Sequence, residues 1–386
     1  MNSRAKTKID SGFDEQPEVR VVLHSTLGET YFGLGLYEQA DESYQAALRA
    51  ATTSLGDDHE LTLDAMSSLG VIRSARNRLV EAEGFSRGAY EGFLRTLGRE
   101  APQTLVAANN LAGFLRRVDR LDESERIYRE TYEIRLRTLG EDDLDTLASM
   151  NNLSMMLMFR GKQSEAEPVL LKALRGCRRM FGESHPKTLL VTNNYAKLLH
   201  RLGRLEEAAS RYRDILDVRR QTLTSHHPDI MLSLNNLGMV LKEQDKIDEA
   251  RGILAEVVDA YYGDDPPAQP AHWGSRGKGL FSHHVLFQLA DIHVRLKNAD
   301  AVERLFERAI SRREDFQDDD QWRLGIVHRE YGLCLSKLGR KANAREQLKD
   351  ALEVLRHTLE PDDPRTREVH EDLRALDDPG EGSAQP

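Results

Sequence analysis

Four pairs of adjacent asparagines, Asn109-Asn110, Asn151-Asn152, Asn193-Asn194 and Asn235-Asn236, recur at a step of 42 residues. A side-chain amide both donates and accepts hydrogen bonds, which is the chemistry needed to hold the main chain of an extended peptide. Asparagine also competes with the backbone for hydrogen bonds and is a poor helix former, so repeating it four times costs stability and implies a use. Two uses fit the spacing. One member of each pair faces a bound chain, or one member bridges to the neighbouring repeat.

One or two helical turns to either side of the ladder stand Val106, Arg116, Met155, Met158, Lys197, His200, Leu232, Met239 and Lys242. Residues three and four apart share a helix face. Of these, Arg116, Met155, Lys197, His200, Met239 and Lys242 are the expected binding residues beside the asparagines. Methionine adapts to varied surfaces. Cations suit an acidic side chain or a terminal carboxylate. The expected ligand is an acidic peptide with one or two bulky apolar anchors.

Other chemistry is poorly supported. His226-His227 and His283-His284 lack the cysteine or carboxylate spacing of a metal site. The stretch from Gly274 to Gly279 has neither the glycine–lysine–serine spacing of a phosphate loop nor a preceding strand. No nucleophile–base pair or strained serine elbow can be assembled. Acidic pairs such as Asp142-Asp143 sit at helix starts, where negative charge suits the helix dipole. No catalytic residue, metal or cofactor is expected.

The elements that position the ladder follow from the period. Leu55-Gly56, Leu97-Gly98, Leu139-Gly140 and Phe181-Gly182 keep the 42-residue step, and Leu223-Thr224 is an eroded fifth copy. Thr62, Thr104, Thr146 and Thr188 keep it too, with Ile230 in the fifth place. Between Pro102 and Gly140, apolar residues recur at three- and four-residue steps in two runs split by Val118-Asp119-Arg120. That is a helix, a turn and a second helix, with glycine closing the second. Gly161, Gly203, Asn77, Asp119 and Asp245 occupy the turn in successive units, and Ala82, Ser124, Ala166, Ala208 and Ala250 mark a close helix crossing. A fixed period of this size means one small unit stacked many times, each burying its apolar face on its neighbours.

The motif of Leu-Gly or Leu-Ala, then tyrosine or leucine, then a turn glycine and an alanine resembles the tetratricopeptide repeat. The linker G-x-x-H-P-x-T and the N-N-L-A within the first helix are similar to the 42-residue kinesin light chain type, and GESHPKTLLVTNNYAKLL at residues 182–199 carries nearly all of it. The likeness spans about residues 18–376. It implies an all-α, right-handed superhelix (an α-solenoid) of about eight helical hairpins plus a C-terminal capping helix, with first helices on the concave wall. It also implies that the asparagines hold the main chain of a partner peptide. The function expected is a protein-interaction scaffold or adaptor. The alternative is a regulatory or sensory module of a signalling system acting on a kinase or ATPase, since similar bacterial arrays accompany such domains. The ladder-adjacent places Gly113, Met155, Lys197 and Met239 hold one cation among four, which argues against the basic clamp of chaperone-binding relatives. With Ser67-Ser68 in place of a pair, the groove is expected over repeats three to six.

The expected organisation is a disordered segment at 1–17, repeats one to six at 18–263, an inserted loop at 264–280, repeats seven and eight with the cap at 281–376, and a disordered tail at 377–386. Three prolines and three glycines crowd the insertion. The net charge of −10 argues against a nucleic-acid partner. Cys177 and Cys334 are too far apart in sequence for a disulfide framework and read as small apolar residues. The first 20 residues hold no apolar core segment, and no run approaches 18 apolar residues, so no membrane contact is expected and the location expected is cytoplasmic. The row Gly84, Gly88 and Gly92 on one helix face implies a close helix approach, a soft joint or simple erosion.

Overall fold

The computed structural model describes residues 9, 12–13, 15–262, 274–311, 321–360 and 362–377. These form helices joined by short turns, with no strand among the described residues. They are α1 (Pro17–Gly33), α2 (Tyr37–Leu55), α3 (Glu60–Ala75), α4 (Leu79–Leu97), α5 (Pro102–Arg117), α6 (Leu121–Leu139), α7 (Leu144–Phe159), α8 (Gln163–Phe181) and α9 (Pro186–Arg201). Then follow α10 (Leu205–Thr222), α11 (Pro228–Glu243), α12 (Ile247–Tyr262), α13 (Gly274–Arg295), α14 (Ala299–Ser311), α15 (Trp322–Lys337), α16 (Lys341–Thr358) and α17 (Pro364–Asp377). Eight hairpins and one closing helix result. Contacts sort into two compact units, Met1–Arg211 and Tyr212–Pro386, and the division falls inside α10. No described helix is long and apolar enough to cross a membrane.

Each hairpin turns through one residue in the left-handed region. Gly35, Gly161, Gly203 and Gly339 hold it at φ 73 to 79°, and Asn77, Asp119, Asp245 and Lys297 at φ 53 to 63°. The seventh turn therefore rests on Lys297. The next residue, Asn298, caps α14, accepting from the Ala301 N–H at 3.1 Å.

The repeated glycine has a sharper requirement. Gly56, Gly98, Gly140 and Gly182 close their helices at φ 81 to 95° and ψ 168 to 174°. That corner of backbone space is held almost only by glycine. The repeated threonine ties down the same linker. Thr62 Oγ1 donates to the Gly56 carbonyl and Thr104 Oγ1 to that of Gly98, both at 2.7 Å. Thr188 reaches the Cys177 carbonyl at 3.2 Å instead. The linker histidine is an N-cap: Nδ1 of His59, His185 and His227 each accepts a backbone N–H two residues on at 3.2 Å. Asp143 does the same at 2.8 Å. Thr224 cannot adopt the glycine conformation, and α10 ends at Thr222.

Within a hairpin the two helices cross at a small residue. Ala40, Ala82, Ala166, Ala208, Ala250 and Ala344 are wholly buried, as is Ser124. A second crossing sets a large side chain on the second helix against a small one on the first. A Cβ on Gly28 would stand 2.7 Å from the Tyr44 ring, and one on Gly238 would stand 2.6 Å from Leu254. Burying such a side chain contributes roughly 1.5–3 kcal/mol. In the glycine row of α4, Gly92 lies under Leu63 and Gly88 under the tip of Met66, while Gly84 faces open space. Close approach to α3 thus accounts for two of the three. Cys177 and Cys334 are buried and free.

Ion pairs cross from hairpin to hairpin at a fixed 37-residue interval. Arg78 meets Asp41, Arg120 meets Glu83, Lys162 meets Glu125 at 2.8 Å and Arg204 meets Glu167 at 2.5 Å. Burial pushes the Glu125 carboxyl up, but bonds from Lys162 and Arg129 outweigh it and hold the group below its usual value. Single exposed pairs contribute at most about 1 kcal/mol. Their regularity fixes stacking register more than it adds stability.

The expected loop at 264–280 is helical from Gly274 onward. Its prolines all precede that point, so the glycines lower helix propensity without forbidding a helix. The rest of it, 264–273, lies outside the described residues, as do most of the segment at 1–17 and the tail beyond residue 377.

Lys297 is the one left-handed turn residue among the eight that is neither glycine, asparagine nor aspartate. A side chain there costs about 1–2 kcal/mol. Lys297→Gly is expected to raise stability by about 1 kcal/mol, read as a later urea midpoint for the transition that includes α13 and α14. No rise would mean that the turn is not strained.

Candidate functional site

The asparagine ladder lies on the first helices, and most of it stitches one repeat to the next. Asn110 Nδ2 donates to Ser67 Oγ at 3.0 Å. Asn152 Nδ2 donates to Asn109 Oδ1, and Asn194 Nδ2 to Asn151 Oδ1, both at 2.8 Å. In these three pairs the second amide thus reaches back to the first amide of the preceding repeat, or to the serine that replaces it. The bond occupies the carbonyl of the first asparagine and one N–H of the second. The first amide's NH2 and the second's carbonyl are not part of it.

Burial separates the pairs. Asn193 and Asn194 are 4% and 6% exposed, and Asn235 is 6% exposed. Asn109, Asn110, Asn151, Asn152 and Asn236 are half-buried. Asn235 Nδ2 lies 4.0 Å from Met239 Sδ, and Asn235 Oδ1 is buried without a partner. Asn109, Asn110 and Asn152 combine bridging with a place on an open recess.

A recess of about 520 Å³ gathers five of the expected residues in the first unit. Arg116 comes from α5, Asn152 and Met155 from α7, and Lys197 and His200 from α9. Tyr128, Met158, Phe159 and Arg201 complete it. No carboxylate lines it. The Arg116 guanidinium lies 5.8 Å from the Phe159 ring centroid and beside the Tyr128 hydroxyl, whose pKa is raised chiefly by burial and only partly offset by that cation. Arg201 donates to the Met158 carbonyl at 2.7 Å. Met158 itself is 2% exposed and belongs to the core. The recess offers positive charge beside thioether and aromatic surface, a combination that fits a carboxylate next to an apolar group.

Lys242 departs from expectation. Its Nζ lies 2.6 Å from Asp291 and 2.7 Å from Gln288 Oε1, both on α13. A carboxylate from the next hairpin already neutralises it. Met239 is half-buried on α11.

Two further recesses extend the wall beyond the expected repeats three to six. A central one of about 300 Å³ shares Asn152 and Tyr128 with the first. It is bounded by Gly70, Val71 and Ser74 of α3, Ser86 of α4, and Asn109, Asn110, Gly113 and Phe114 of α5. The third, about 420 Å³, shares Val71 and Asn110 with the central one. It reaches Val22, Ser25, Thr26, Glu29 and Phe32 of α1, and Asp64 and Ser68 of α3. A continuous channel therefore runs along the first helices of this unit.

The central recess has a cause legible in the period. At the place of Ser86, the other hairpins carry Tyr44, Tyr128, Leu170, Tyr212, Leu254, Phe306 and Leu348, all buried. Ser86 is 2% exposed, its Oγ has no partner, and it lies under Gly70. A missing large side chain leaves the space open. Among the described residues no group of three or more histidine, cysteine, aspartate or glutamate side chains is placed to hold a metal.

Two stability changes of opposite sign are expected. Asn152→Ala removes the bond to Asn109 and should cost about 1–2 kcal/mol, seen as faster amide exchange in α5 and α7. Unchanged exchange would mean that the bond carries no stacking energy. Ser86→Tyr restores the pairing that Tyr44 makes with Gly28 and should add about 1 kcal/mol by filling the recess. A lower melting temperature would show that the space is not tyrosine-shaped.

Comparison with known proteins follows the same lines. Models of the tetratricopeptide repeat match residues 19–95, 103–179, 164–221 and 187–262, and again 332–365. Comparison with curated proteins finds no significant match. Among solved structures, the apo quorum sensor NprR from B. thuringiensis aligns at TM-score 0.57 and 12% identity, over 92% of this chain and 97% of that one. A Rap protein complexed with competence and sporulation factor aligns at TM-score 0.52 and 12% identity, over 92% and 97%. A putative kinesin light chain from Podosopora anserina aligns at TM-score 0.48 and 20% identity, over 54% and 99%. With the repeat model matching well over half of its length and helical hairpins wherever the match falls, this chain belongs to the tetratricopeptide repeat family.

Proposed function

We propose that this protein is an interaction scaffold that holds a peptide segment of a partner along the first helices of its first unit. The observation that carries this reading is the recess between α5, α7 and α9. It joins Arg116, Lys197, His200 and Arg201 to Met155, Tyr128 and Phe159 in a chain whose net charge is −10. A local cationic pocket in an acidic protein selects for an acidic group and repels little of the partner elsewhere. Tyr128 and Phe159 supply flat apolar area at low entropy cost. Asn109 and Asn152, held in place by their mutual bond, offer the NH2 of one and the carbonyl of the other to a main chain. Pre-organised amides of this kind lower the ordering cost of binding. In this reading the acidic residue of the partner enters the cationic recess, an apolar neighbour lies on Met155 and Phe159, and the main chain passes the amides. Such a scaffold also suits a regulatory role, because a single partner segment occupies several repeats at once.

Arg116→Glu with Lys197→Glu tests it. Charge-assisted bonds of this kind contribute about 1.5–3 kcal/mol each, so acidic partners should bind at least about ten-fold more weakly. The check is affinity capture from native extract with quantitative mass spectrometry, the double variant against the unaltered protein. Loss of a defined set of partners, made deeper by low salt because the introduced repulsion is then less screened, supports the recess. An unchanged partner set would move the binding surface elsewhere on the chain.

A further inference from the structure

We propose that the channel of the first unit is polarised and accepts an extended peptide in one direction only. A lysine or arginine of the partner occupies the recess between α1 and α3, and an acidic residue occupies the recess between α5, α7 and α9. This deepens the reading above and rests on it. The channel is continuous, since the central recess shares Val71 and Asn110 with one neighbour and Tyr128 and Asn152 with the other. Its two ends carry opposite charge. Glu29 and Asp64 stand at the α1–α3 end, and Glu60 lies one turn before Asp64. No basic side chain lines that recess, and neither Glu29 nor Asp64 is ion-paired among the described residues. The other end has four basic side chains and no acid.

The α1–α3 recess is more than a group of acids. Val22 and Phe32 are 47% and 38% exposed there, a flat apolar wall suited to the methylene stem of lysine or arginine. The Phe32 ring face can also attract the cationic head. Between the two ends, the Ser86 hydroxyl is buried without a partner at the central recess. A buried polar atom left so is an opening that a bound group completes. Charge complementarity of opposite sign at each end selects for order as well as composition. A uniformly acidic segment is repelled at α1–α3, and a uniformly basic one at α5–α9. Neighbouring packed helices lie roughly 10 Å apart. Four steps from α1 to α9 therefore span roughly 40 Å, which a dodecapeptide at about 3.3 Å per residue can reach.

The probe is a phage-displayed random dodecapeptide library panned against the full chain. Enriched peptides should carry lysine or arginine toward one end and aspartate or glutamate toward the other, always in the same order. Synthetic versions with the sequence reversed should bind at least ten-fold more weakly. Glu29→Lys with Asp64→Lys should weaken the enriched peptides at least ten-fold and, panned afresh, should lose the basic end while keeping the acidic one. Both carboxylates are exposed, so the variant should keep the far-ultraviolet circular dichroism of the unaltered chain. Peptides without a basic end, or peptides that bind the Glu29→Lys/Asp64→Lys variant undiminished, overturn polarity. If those same peptides are weakened by Arg116→Glu with Lys197→Glu, the scaffold reading survives alone. No enrichment, or peptides indifferent to both pairs of substitutions, overturns both.

Discussion

Every hairpin in the well-kept part of this chain leaves its second helix through a backbone conformation that only glycine holds comfortably. In three of the four copies a threonine hydroxyl then bonds a carbonyl at the end of that second helix or its linker, while the Thr146 hydroxyl is buried without a partner. This linker decides the angle and register at which one hairpin meets the next. Because the closing glycine conformation is the same in all four copies, residues 42 apart come to corresponding places on successive first helices. The asparagine pairs show the result. Amides 43 residues apart in sequence lie at 2.8 Å from each other, a distance that a small error in linker angle would destroy. Where Thr224 replaces glycine, that device is missing and α10 ends without it.

The same repetition makes the wall both structural and available. A helix that carried asparagine only to bind would lose stability at each copy. Here the cost is offset, because the amide of one repeat satisfies that of the next. The ladder is therefore neither a pure binding motif nor a pure staple. Asn109, Asn110 and Asn152 bridge repeats and, in the function proposed, would also face a partner, since they are half-buried and border open space. Asn193, Asn194 and Asn235 are too deeply buried for more than the structural part.

How much of this could be read from residues alone follows from what repeats and what does not. Period, hairpin turns and helix-closing glycines were all legible, because each reflects a local backbone requirement that one residue type meets. The placement of Arg116, Met155, Lys197 and His200 beside Asn152 was legible from helical spacing, since Met155 and Lys197 lie one turn and Arg116 and His200 two turns from the ladder. Three features were not. Lys242 has the right position, yet Asp291 neutralises it. That acid comes from α13, beyond the insertion, where the period no longer predicts neighbours. The helix at 274–280 follows a proline-rich stretch and is rich in glycine, so composition concealed it. The recesses on α1 and α3 carry no asparagine pair of their own, since Ser67-Ser68 stands where the ladder would continue. Their signal was present as a gap, in that Ser86 stands where every other hairpin has a large side chain.

Charge is distributed by the same logic. A set of arginines along the hairpin stack pairs with an acid 36 or 37 residues away, as Arg87 does with Glu123 and Arg129 with Glu165. Those pairs cancel within the array, so the stacked edges present little field to a partner. An excess of either sign therefore stands out beside the recesses of the first-helix wall, with Glu29 and Asp64 at one and Arg116 and Lys197 at another. A protein that is acidic overall can thus attract an acidic group locally, with the discrimination lying in the recesses and the net charge deciding little beyond solubility.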